Sequence, residues 1–133
     1  MTESLKSHLL NLYALALTDA QFDEREIFLL YKIAGEKGVP KEELDHLLLN
    51  PATLKFHFPE TVEERIGYLY DYAKMILADD TIDEHEMKTL EKFCLRFDFD
   101  EQNTPLIMEL LISAAKEQVP AAEVIQFVHQ QTN

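Results

Sequence analysis

The chain has 133 residues, 47% of them apolar and 28% charged, an ordinary globular composition of one-domain size that excludes a disordered chain. Acidic side chains number 25 against 12 basic, a formal charge of −13. That excludes a nucleic-acid or anionic-membrane surface, both of which need clustered Lys and Arg, and favours a cation or a basic protein partner.

Leu5, Leu9, Leu12, Tyr13, Ala16 and Ala20 follow the spacing of one helix face, which predicts a helix at about 2–19. Ile27, Leu30, Tyr31 and Ala34 repeat the pattern, for a second helix at about 23–37. Gly38 then suits the left-handed residue just past a helix end. A third helix is expected at about 41–49, followed by an irregular connector at about 50–60 holding Phe56, His57 and Phe58. Thr61-Val62-Glu63-Glu64 reads as a capping box that opens a helix at about 61–79. That helix carries Ile66, Leu69, Tyr70, Ala73 and Ile76 on its apolar face. Tyr68 and Tyr72 share a face from which Tyr70 departs, and the cluster suits a core or an aromatic partner patch. Met87, Leu90, Cys94 and Phe97 mark a fifth helix at about 83–97. Thr104-Pro105 reads as N-cap and first helical residue of a helix at about 104–117, and a last one follows at about 120–131.

No segment alternates with period two, so the expected fold is all-α: a compact bundle of about seven helices forming a single domain over residues 1–133. No apolar run approaches the roughly 18 residues that cross a bilayer. The run from Leu9 to Leu17 is broken by Asn11 and does not read as a signal peptide. With Cys94 as the lone cysteine, a soluble cytoplasmic protein is expected.

Shifted by 60 residues, the sequence partly matches itself. Leu9, Leu17, Asp19, Asp23, Glu24, Glu26, Leu30 and Lys32 fall on Leu69, Leu77, Asp79, Asp83, Glu84, Glu86, Leu90 and Lys92. The expectation is an internal pseudo-repeat of two helical hairpins, at about 5–50 and 61–110, with C-terminal helices over 104–131. Each hairpin turn carries an apolar residue, Phe22 or Ile82, suited to plug the core beneath it.

The turns are acidic. Asp23 and Glu26, and likewise Asp83 and Glu86, take the N-cap and third-helical-residue places of a capping box, while Glu24 and Glu84 suit the helix dipole. Capping explains those acids but not Asp19 and Asp79, which fall at the C-terminal end of the preceding helix, where negative charge opposes the dipole and where an Asx-turn to a backbone N–H two residues on is the structural reading. A short turn brings Asp19 towards Asp23 and Glu26, and Asp79 towards Asp83 and Glu86, with Asp80 as a further acid. Such hard oxygen ligands suit Ca²⁺ or Mg²⁺, and His85 widens the metal range. An EF-hand is excluded, because its Gly and Glu places hold Glu24 and Leu30 in the first turn and Glu84 and Leu90 in the second.

The segments Leu17-Thr18-Asp19-Ala20-Gln21-Phe22-Asp23-Glu24-Arg25-Glu26 and Leu77-Ala78-Asp79-Asp80-Thr81-Ile82-Asp83-Glu84-His85-Glu86 resemble the TerB-like, tellurite-resistance family. The resemblance implies a compact helical domain with a pseudo-repeat. It also implies divalent-cation binding by Asp19, Asp23 and Glu26 and by Asp79, Asp83 and Glu86, within stress-response and membrane-associated signalling systems. Family members often carry Gly after the first Asp, where this chain has Ala20 and Asp80.

Nothing in the sequence calls for an enzyme. The histidines (His8, His46, His57, His85, His129) lack metal-motif spacing, and Ser4, Ser7 and Ser113 sit in no nucleophile motif. Cys94 reads as a small buried apolar residue. The expected protein is a non-enzymatic acidic module binding a divalent cation. The competing expectation is an interaction domain whose acidic turns are only helix caps.

Overall fold

The apolar stripes fold as seven helices among the residues that a computed structural model describes, 2–17, 24–50, 59–78 and 84–132. They are α1 (Glu3–Leu17), α2 (Glu24–Glu36), α3 (Lys41–Leu49), α4 (Val62–Ile76), α5 (Glu84–Arg96), α6 (Thr104–Lys116) and α7 (Ala121–Thr132). The described residues contain no strand, and the fold is all-α as expected. None of their helices is long and apolar enough to cross a membrane. The chain divides into two compact units, Met1–Phe58 and Pro59–Asn133. The connector residues Phe56, His57 and Phe58, and the turn residues Phe22 and Ile82, lie outside the described residues.

In the first unit α1, α2 and α3 pack on one another. The core is aliphatic: Leu9, Leu12, Leu30 and Leu44 are fully buried, and Leu15, Ala16, Ile33, Ala34, Val39 and Leu47 nearly so. Burying each Leu removes enough apolar surface to contribute about 2 kcal/mol. At the edge of this core the Tyr31 hydroxyl of α2 donates a hydrogen bond to Asp45 Oδ1 of α3. The bond holds the tyrosine in its neutral form, pushing Tyr31 up to about 12, and it favours the ionised carboxylate, holding Asp45 below its ordinary value.

In the second unit α4 is the centre, with α5, α6 and α7 packed around it. Neighbours on several sides leave α4 little solvent-facing surface. Tyr68, Tyr70 and Tyr72 are all buried, so the aromatic cluster is core and not a partner patch. The Tyr70 hydroxyl donates to the Val119 carbonyl and, at 3.3 Å, to that of Ala114, which ties the α6–α7 turn to α4. Burial, with a smaller push from Asp71, raises the Tyr70 pKa. Gly67 lets α7 approach closely, since a Cβ there would lie 3.3 Å from Ile125 Cδ1.

Of the two helix starts read from Thr61 and Thr104, the first holds and the second shifts. Thr61 Oγ1 accepts from the Glu64 N–H at 3.1 Å, as a capping box requires. Thr104, in contrast, is already helical, and Asn103 occupies the N-cap place. The Thr104 hydroxyl is buried and donates to the Asp100 carbonyl at 3.0 Å. Tertiary burial of this side chain moves the helix start one residue earlier than the Thr-Pro pair suggests.

Three helices end alike. Past α2, α5 and α6 stand Gly38, Asp98 and Gln118 in the left-handed region, with φ of 83°, 65° and 56°. The next residue donates back across the turn each time: Val39 to Ala34 (2.9 Å), Phe99 to Cys94 (3.2 Å) and Val119 to Ala114 (3.0 Å). These are Schellman closures, each followed by an apolar residue. The first two lie 60 residues apart, in register with the sequence repeat. Gln118→Gly is therefore expected to stabilise the protein by about 0.5 kcal/mol, because glycine avoids the Cβ clash of the left-handed region. A urea midpoint unchanged or lowered for this variant would contradict the account.

Candidate functional site

Of the seven acids expected to ligate a metal, Asp19, Asp23, Asp79, Asp80 and Asp83 lie outside the described residues. Glu26 and Glu86 are described, in the first turns of α2 and α5. Both helices begin one residue past the Asp that the capping box needs, which places Glu26 and Glu86 at the third helical position.

Both side chains are buried. Glu26 is 2% exposed and Glu86 5%, whereas Glu24 and Glu84, two residues earlier, are exposed. The cause is register. The buried face of α2 runs through Glu26, Leu30, Ile33 and Ala34, and that of α5 through Glu86, Leu90 and Cys94. Each glutamate thus heads the core stripe of its helix, one turn before a fully buried leucine. The sequence periodicity puts Ile27 and Met87 on those faces, but both are only half-buried. The signal was present in the spacing, since each Glu stands four residues before its repeat's Leu; hydropathy alone discards an acid from an apolar stripe.

A carboxylate out of water needs compensation from hydrogen bonds, dipoles or a cation. The first-turn N–H groups and the positive end of the helix dipole supply part of it. Glu26 and Glu86 are the described members of the acid set expected to ligate a metal. Among the described residues no three His, Cys, Asp or Glu side chains come together at a spacing that would hold a metal ion.

The remaining chemistry-bearing side chains are disposed structurally. Cys94 is fully buried, and burial, helped by the Glu91 charge, pushes its thiol up to about 12. It stays protonated at neutral pH, the reverse of an activated nucleophile. His129 Nδ1 lies 3.1 Å from Glu63 Oε1, joining α7 to the start of α4. Arg65 donates to the carbonyls of Pro59 (3.0 Å) and Phe97 (3.3 Å), joining the start of α4 to the end of α5. Lys74 lies 3.3 Å from the buried Asp71 and 5.0 Å from the centre of the Tyr70 ring.

Two surface features are not prefigured by the sequence. An open, mainly apolar groove of about 590 Å³ runs between α5 and α6. A smaller one, of about 370 Å³, lies along α6 and α7 beside Phe127.

No protein-family model matches the chain, and neither a curated protein nor a solved structure does.

Proposed function

We propose that this chain is a small, acidic, non-enzymatic module that binds a divalent cation, Ca²⁺ or Mg²⁺, through its two Asp/Glu-rich turns. The TerB-like resemblance of those turns supports a role in a cytoplasmic stress response of the tellurite-resistance kind. One observation supports the reading most: Glu26 and Glu86, 60 residues apart in matching registers, are both buried at the start of a helix. Bringing carboxylates out of water beside further acids is unfavourable, and a hard cation relieves it. The flanking acids are Asp19 and Asp23 in one turn and Asp79, Asp80 and Asp83 in the other.

The test is thermal melting of metal-stripped protein, titrated with Ca²⁺, Mg²⁺, Mn²⁺ and Zn²⁺ at fixed ionic strength. A cation that binds the native state stabilises it by about 2.7 kcal/mol at a hundredfold excess over its dissociation constant. The rise is expected to saturate and to be lost in Asp19→Asn or Asp79→Asn. No rise beyond salt screening, with both variants melting like the parent, would sink the reading.

The second reading is an interaction domain whose acidic turns only cap helices. Glu24 and Glu84 favour it, being exposed first-turn acids that suit the dipole and face water. On that reading the titration is flat for every cation.

A further inference from the structure

We propose that the α5–α6 groove is a docking site for a basic amphipathic helix of a partner protein. The inference does not rest on the cation reading.

The groove is a stripe. Along α6 its lining runs through Thr104, Met108, Ile112 and Lys116, each four residues after the last. The i, i+4 spacing keeps all four on one face, over a length of roughly 18 Å. Met87 and Glu91, also four apart, line it from α5. Two ridges with an apolar floor between them are the seat that a third helix fills. The floor is Met87, Met108 and Ile112; Ile112 is 8% exposed and the two methionines are half-buried. Methionine is unbranched and polarizable, and it shapes itself to varied apolar partners.

Charge selects the occupant. Glu91 and Glu109 stand exposed on the rim, in a chain of net charge −13. Lysines or arginines flanking the apolar face of an incoming helix meet both. Lys116 is the one basic residue in the lining and stands at the C-terminal end of α6, so it fixes direction: the carboxyl end of the docked helix, where the dipole is negative, lies over it. An anionic lipid surface is repelled by the same rim, and a second copy of this chain brings the same excess of negative charge.

The probe is a fluorescent helical peptide of about 18 residues, with leucines on one face and lysines flanking them. Its twin carries glutamates in place of the lysines. Anisotropy is read at about 0.15 M salt, where diffuse attraction is screened beyond roughly 8 Å. The lysine peptide is expected to bind at least about tenfold more tightly than the twin. Met108→Glu is expected to weaken it by at least about tenfold, even though the substitution makes the protein more acidic. The double variant Glu91→Lys, Glu109→Lys reverses the preference between the peptides and needs no change in the apolar floor. Far-UV spectra and melting curves confirm that each variant is folded. The proposal is overturned if the lysine peptide does not bind at about 100 µM, or if Met108→Glu binds it as well as or better than the parent. It is equally overturned if the parent is a dimer that Met108→Glu dissociates, since the occupant is then a second copy.

Discussion

Tyr72→Ala is expected to destabilise the second unit by about 3–5 kcal/mol, the range for truncating a large buried aromatic. The residue is fully buried in the middle of α4. Its ring stacks on Phe93 of α5, with centroids 4.4 Å apart and planes 24° apart. Phe97 completes the cluster, at 6.4 Å from Tyr72 and 6.3 Å from Phe93. Removing the ring opens a cavity that α4 cannot close, because α5, α6 and α7 already pack around it. Offset stacking adds about 0.5–1.5 kcal/mol to the lost burial. Tyr72→Phe separates the two contributions: it keeps ring and stacking, and should cost no more than about 1.5 kcal/mol, the net worth of a hydroxyl's hydrogen bonding. Urea unfolding followed by far-UV circular dichroism gives the totals, and hydrogen exchange locates the loss in α4 to α7. If Tyr72→Ala costs no more than Tyr72→Phe, the aromatic cluster does not hold the second unit together.

That cluster also marks where sequence reading reaches its limit. The seven helices are legible because each advertises itself locally, by four-residue spacing and by its ends: Thr61 at a start, Gly38 at a finish. Tyr68 and Tyr72 are the local exception. Periodicity puts Tyr70 on the apolar stripe and sets the Tyr68–Tyr72 face apart from it, yet Tyr68 is 8% exposed and Tyr72 0%. The reason is tertiary: a helix surrounded on several sides has little solvent face, and the sequence of α4 alone does not say how many neighbours it has. The α5–α6 groove is hidden for a related cause. Met87 and Ile112 belong to two helices and become one floor only after packing. Glu26 and Glu86 show the opposite case, a local signal that was present and overridden. Their places in the repeat and in the capping frame are legible, but a hydropathy count moves acids to the surface, and the structure buries them.

The burial gives the cation proposal a test of sign as well as size. In metal-stripped protein Glu86→Gln is expected to melt at or above the parent. The substitution keeps the shape and one acceptor oxygen while removing a buried negative charge, in a segment that also carries Asp79, Asp80, Asp83 and Glu84. Added cation then reverses the order. The parent gains about 2.7 kcal/mol at a hundredfold excess over its dissociation constant, which for a chain of this size is a rise of roughly 10 °C. The variant has lost a charged ligand and gains less. Glu26→Gln puts the same question to the first turn, and the double variant asks whether the turns act together. Capping alone predicts another pattern. Glutamine serves at the third position of a capping box nearly as well as glutamate, so the substitution costs a few tenths of a kcal/mol from the dipole, and that small deficit persists at every cation concentration. Crossing melting curves support a ligand role for the buried glutamates. Parallel curves, with the variant slightly below the parent throughout, leave Glu86 a structural acid at the head of the α5 core stripe.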